Sequence, residues 1–223
     1  MKMRNKKIQN LSHGFTLAEV LITLVIIGIV AALTISAVIN TYVERSTVAK
    51  VKKGLSILGQ AKKLAEVQNG SIEGWNYGAD VTSQTARDFW KYLKPHLSVA
   101  KDCGTNLDCY QTNGTWTLSG STSGDYTDSK YYKFILGDGS IMLFRTDTGK
   151  CGGSDGTFND VCAVFVYDVN GDKKPNTWGK DIFCYIMNTD GVYPRNHDDC
   201  RINADGYGCA NYIINRGNMG YLH

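Results

Sequence analysis

The alternation of hydrophobic and polar positions changes character three times along this chain. Residues 20–39 carry no charged side chain and form a nearly unbroken apolar run. At about 1.5 Å of rise per residue, twenty such positions make a helix of about 30 Å, the thickness of a bilayer's hydrocarbon core. The pattern then becomes periodic: Val48, Val51, Leu55, Leu58, Ala61 and Ala65 recur at steps of three or four between Lys50, Lys52, Lys53, Lys62 and Lys63. That is an amphipathic helix. The two segments predict one helix from residue 15 to about residue 68, membrane-spanning over 15–39 and amphipathic over 40–69, with Asn69-Gly70 as its stop. A second helical period, Ala86, Phe89, Trp90, Leu93 and Leu97, follows the cap candidates Thr82 and Ser83, and Pro95 should end it near Lys94. Beyond residue 130 the period shortens to that of strands. Residues 131–136 and 140–146 flank the hairpin signal Gly137-Asp138-Gly139, and residues 162–168 and 181–187 supply two further strands. The expected class is α+β: a long N-terminal helix packed against a small antiparallel sheet, with a globular head over residues 70–223.

Charge refines this picture. The first fourteen residues hold Lys2, Arg4, Lys6 and Lys7 and no acid, so the positive-inside rule keeps the N-terminus cytoplasmic and exports the head. Residues 41–69 carry six bases and two acids, whereas residues 70–223 carry 14 bases and 18 acids. A basic stalk under an acidic head suits stacking and anionic lipid headgroups. It does not suit nucleic acid, which needs a basic patch on the head.

The apolar run has an unusual entrance. Gly14, the small residue that looks like a processing point, precedes the run, and no small-residue cleavage site follows Ile39 before Glu44 and Arg45. Glu19 stands at the edge of the run, where a carboxylate costs up to about 2.5–3.5 kcal/mol at mid-bilayer and so asks for a partner. Cutting at Gly14 would create an ammonium on Phe15, four residues away.

Gly14-Phe15-Thr16-Leu17-Ala18-Glu19, followed at once by the spanning run, resembles the class III signal of type IV pilins and type II secretion pseudopilins. The resemblance implies a lollipop-shaped subunit with residues 1–14 as leader. A prepilin peptidase would cut between Gly14 and Phe15 and methylate the new amine, and Glu19 would pair with the Phe15 amine of a neighbouring subunit. It also implies self-association with other pilins or pseudopilins in a helical filament, an inner-membrane platform as partner, and a path from the bacterial inner membrane to a periplasmic or surface filament. One departure is Ser36, where the family usually has proline; the helix melting associated with that proline is not implied here. The cysteine-rich head and its DxNGxxxPNxxGxD turn resemble secretion pseudopilins more than adhesive pilins.

Seven cysteines fall in the exported part, where disulfides are the usual state. Three bridges leave one thiol over, and each choice of that thiol still allows 15 connectivities. Pairing into short loops gives Cys103–Cys109, Cys151–Cys162 and Cys200–Cys209, with Cys184 left in a strand. Zinc is disfavoured because no CxxC pair occurs and His13, His96, His197 and His223 are scattered. No nucleophile elbow, HExxH or phosphate loop is present, and His197-Asp198-Asp199-Cys200 reads as a polar loop beside a disulfide, so no enzyme is expected. The alternative class is a membrane-anchored lectin or adhesin-like binding domain, with Trp75, Trp90 and Trp116 at its surface rather than in its core. A plain anchor of that kind needs neither Glu19 nor cutting at Gly14.

One constellation points to a cofactor. Asp168, Asn170 and Asp172 are spaced like positions 1, 3 and 5 of a calcium loop, with Asn176 at position 9 and Asp181 two residues beyond the usual terminal ligand. Lys173 replaces the loop glycine and Lys174 adds like charge. The same residues also make an Asx-rich turn whose side chains cap their own backbone, shaped by Gly171 and Pro175.

Overall fold

The structure is a computed structural model that describes residues 14–106, 109–110, 114–124, 126, 128–148, 150–196 and 200–223. The leader basic residues and His197, Asp198 and Asp199 therefore lie outside the described residues. The chain divides into two compact units, one ending at Val43 and the other Glu44–His223.

Helix α1 runs Leu17–Asn69, 53 residues without a break, as expected for a chain with no proline or paired glycines in that interval. In the first unit its apolar side chains are exposed, from Val20 and Leu21 through Leu33 to Val38 and Ile39. The second unit begins inside the helix because the amphipathic stripe belongs to a core: Val51, Leu58, Ala61 and Ala65 are fully buried. Lys62 is buried too, and it is held by Glu66 at 2.8 Å and by the Thr189 carbonyl at 2.9 Å.

A seven-stranded antiparallel sheet forms the frame of this unit. Its strands are β1 (Val99–Gly104), β4 (Tyr132–Leu136), β5 (Ile141–Thr146), β6 (Gly153–Asp155), β7 (Phe158–Asp168), β8 (Ile182–Asn188) and β9 (Val192–Pro194). Their order is β1-β4-β5-β7-β8-β9, with β6 paired to the start of β7. A separate two-stranded ribbon joins β2 (Thr115–Trp116) to β3 (Thr122–Ser123). The central strands are buried on both faces, which is why β7 and β8 read as continuous apolar runs instead of alternating ones. Pleating separates the two faces. Ala163, Phe165 and Tyr167 of β7 and Phe183, Tyr185 and Met187 of β8 enter the core shared with α1; Val164 and Val166, with Ile182, Cys184 and Ile186, enter a second cluster on the other face.

Helix α2 (Ser83–Leu93) starts at a capping box between Thr82 and Thr85 and buries Ala86, Phe89, Trp90 and Leu93. It ends in the 3₁₀ turn Lys94–His96, where Pro95 cannot continue it. Trp75 and Trp90 lie in the core, while Trp116 is half exposed. A short helix, α3 (Cys209–Arg216), closes with Gly217 in the left-handed region (φ 71°).

Candidate functional site

Two places in the chain carry chemistry beyond packing. The first is the connection from β7 to β8, residues 168–181. Asp168 is the last residue of β7, in register with Ile141 on one side and Ile182 on the other, on the face away from α1. Its Oδ1 accepts the Asn170 N–H at 3.1 Å, which starts an Asx turn. The connection then folds around Asp181. Its Oδ2 accepts the Asn176 N–H at 2.8 Å and the Asn170 Nδ2 at 3.0 Å, and its Oδ1 accepts the Thr177 N–H at 2.6 Å. Asn176 adopts a left-handed conformation (φ 50°), which asparagine tolerates best among residues with a Cβ. Gly171 (φ 73°) is required for a second reason: a Cβ there would stand 2.9 Å from the Gly139 carbonyl of the β4–β5 turn.

Burial makes this an unusual place for carboxylates. Burial, then the neighbouring Asp181 charge, pushes the Asp168 carboxyl up to about 8, against the pull of the Asn170 N–H and the Tyr110 hydroxyl. Asp181 is also raised by burial, but its backbone donors hold it down. Of the five expected ligands, the structure brings Asp168, Asn170, Asn176 and Asp181 together, while Asp172 lies exposed on the outer limb of the turn. No group of three His, Cys, Asp or Glu is arranged to hold a metal among the described residues. The spacing in the sequence did not show how the turn is anchored. The Trp116 N–H donates to the Asn176 carbonyl at 3.0 Å, the Trp178 N–H donates to the Trp116 carbonyl at 2.8 Å, and the Tyr221 hydroxyl donates to the Gly179 carbonyl.

Disulfides join Cys103 to Cys109, Cys151 to Cys162 and Cys200 to Cys209. Cys184 is a free, buried thiol within β8, pushed up to about 12 by burial.

The second place is the N-terminal segment. Gly14, Phe15 and Thr16 precede the first helical residue, Leu17, and Phe15 is 88 % exposed. Glu19 and Thr16 form a reciprocal cap. The Thr16 Oγ1 accepts the Glu19 N–H at 3.2 Å, and the Glu19 Oε2 accepts both the Thr16 N–H and its hydroxyl at 2.8 Å. All three bonds are local and exposed, so the carboxylate could exchange them for another donor at about 1 kcal/mol or less each. The helix that follows contains an 18-residue window of mean hydropathy 2.8, none of it buried, and is long and apolar enough to cross a membrane. The prokaryotic N-terminal methylation motif matches residues 9–35. This is the signature of type IV pilins and pseudopilins. Within the methylation motif, Gly14 and Phe15 form the junction ahead of the helix, and Glu19 falls in its first turn. No solved structure matches the chain.

Proposed function

We propose that this chain is the precursor of a filament subunit of the pilin and pseudopilin kind, structural rather than catalytic. A prepilin peptidase cuts it between Gly14 and Phe15 and methylates the Phe15 amine. One observation carries the reading: the methylation motif runs directly into a helix whose apolar side chains are exposed on all sides. Such a surface requires cover, from lipid before assembly and from the same helices of other subunits afterwards. The subunit first sits in the bacterial inner membrane, N-terminus cytoplasmic and head extracytoplasmic, and then enters a periplasmic or surface filament through the inner-membrane platform of its machine.

Glu19 gives the assembly its register. Its carboxylate exchanges the local Thr16 cap for the Phe15 amine of a neighbouring subunit, a stronger charge-assisted partner in an apolar setting. Of the machines that use such filaments, type II secretion is favoured by the turn at residues 168–181 and by the cysteine-rich head, both of which resemble pseudopilins.

Intact mass and N-terminal sequencing of membrane-extracted protein test the core of this reading. The expected mature chain begins at N-methylated Phe15. An uncut chain, or one cut after Ile39, would leave a plain membrane anchor and sink the proposal. The variant Glu19→Ala should still be cut but should be lost from sheared filaments, and normal incorporation would remove the register role.

A further inference from the structure

Exposed bases crowd the end of the second unit at which it begins, at Glu44. Contacts with α1 gather them from segments far apart in sequence. The Lys53 ammonium meets Asp138 of the β4–β5 turn at 2.8 Å, and the Lys50 ammonium donates to the Val169 carbonyl at 2.6 Å. Gly171 packs closely on the same β4–β5 turn, against the Gly139 carbonyl, which brings Lys173 and Lys174 to this end. Gly217 approaches the Lys52 Nζ so nearly that a Cβ on it would lie 3.5 Å away, and Arg216 stands beside it.

Arg45, Lys52, Lys53, Lys173, Lys174 and Arg216 are all exposed. The acids among them are Glu44, Asp138 and Asp172, and the first two are engaged by His223 and Lys53. With the head's share of these charges set aside, the rest of residues 70–223 holds 11 bases against 16 acids. The charge is therefore segregated: a basic collar flanks α1 on a head that is otherwise acidic. Like charges gathered in one place repel one another, and an anionic partner relieves that repulsion.

Position decides which partner. The first unit ends at Val43, and Arg45 follows it by two residues. Lys52 is nine residues beyond Val43, about 13 Å along a helix axis. Headgroups extend about 5–7 Å beyond the hydrocarbon core on each side, lysine side chains add their own reach, and spanning helices tilt by about 20° on average. Once the apolar run is embedded, the collar is tethered beside the lipid surface, whereas a second copy of the chain has first to be recruited.

We propose that this collar docks the head on anionic phospholipid while the subunit resides in the membrane. The inference rests on reading the apolar run as membrane-embedded, and it adds to the basic stalk three residues, Lys173, Lys174 and Arg216, that belong to the acidic head. Lysine heads spread over a surface attract charge density and select no particular headgroup, so any anionic phospholipid serves.

The test uses the full chain in lipid nanodiscs made from phosphatidylcholine alone or mixed with phosphatidylglycerol, loaded with one copy or with several. Acylation of each lysine by a water-soluble reagent is followed by mass spectrometry. Lys91 of α2, which lines the same cleft as Asn69 at the far end of α1, is the internal reference. In single-copy discs, phosphatidylglycerol should slow the reaction of Lys52, Lys53, Lys173 and Lys174 several-fold relative to Lys91, and high salt should restore it. The triple variant Lys52→Gln, Lys173→Gln, Arg216→Gln, changed only at exposed positions, should return Lys53 and Lys174 to their rates in phosphatidylcholine. Equal rates in the two lipids would overturn the proposal. Protection confined to discs of several copies would overturn it too, and would assign the collar to the acidic head of a neighbouring subunit. A chain that inserts into neither kind of disc fails at the earlier step: it overturns the membrane-embedded run and the docking with it.

Discussion

Asp138 shows how much one turn residue can organise. It sits between Gly137 and Gly139 in the β4–β5 hairpin, accepts the Ser140 N–H at 3.1 Å, and receives Lys53 of α1 at 2.8 Å. Burial would raise its pKa, but the Lys53 ammonium and the Ser140 donors outweigh it and hold the carboxyl at about 2, below the ordinary 3.8. A carboxyl depressed in the folded state stabilises the protein above its unfolded value and loses that contribution as pH falls through the folded one. The pair should thus be fully effective above about pH 4 and lost between there and pH 2. Since Lys53 is 54 % exposed, its worth is that of a surface pair, about 0.2–1 kcal/mol. Denaturant titrations of wild type and Asp138→Asn at pH 6 and pH 2.5 check this. The gap between the two proteins should narrow markedly at the lower pH, and a gap independent of pH would assign the effect to the turn and not to the charge.

At the scale of elements, legibility followed the strength of the local pattern. The long helix, α2 and the four long strands carry periods that no alternative explains, and the structure places them within a few residues of where the pattern puts them. Strand β7 begins at Phe158 rather than Cys162 because its polar start, Asn159 and Asp160, pairs only with the short β6. The edge strands β1 and β9 were not legible: β1 exposes Ala100, Lys101 and Asp102, and β9 ends in Pro194, as edge strands do. Helix α3 has only eight residues and no side-chain cap, so nothing in its sequence announces it. Helix α2, which was legible, also supplies the aromatic contact between the sheet and the segment that follows the long helix. Phe89 lies 5.5 Å from Trp75, 4.9 Å from Tyr77 and 5.6 Å from Phe144 between ring centroids. Phe89→Ala should therefore cost about 3–5 kcal/mol, read as a fall in the denaturant midpoint of the head. A loss below about 1 kcal/mol would mean that the neighbouring rings close over the cavity.

For the molecule as a whole, the N-terminal segment could be read from sequence because its signal is contiguous, from Gly14 to Glu19 and on into the apolar run. The turn at residues 168–181 was readable only as a set of oxygens. Which of them are free depends on backbone donors from Asn176 and Thr177, and those are fixed by the fold and not by spacing. The cysteines have a consequence of another kind. Each disulfide joins neighbours in the chain, over 6, 11 and 9 positions, so an oxidant acting on the chain in order of synthesis would close the first two bonds correctly. The next thiol to appear is Cys184, and the one after it is Cys200; pairing these two would strand Cys209. Timing would prevent the error: once β8 docks between β7 and β9, Cys184 is enclosed and its thiolate is scarce at neutral pH. Sheet closure would then act as a proofreader for oxidation. Refolded from the reduced state, Cys184→Ser should reach the Cys200–Cys209 bond with fewer mispaired species by mass spectrometry than wild type, and equal mispairing in both would assign the choice to loop length alone.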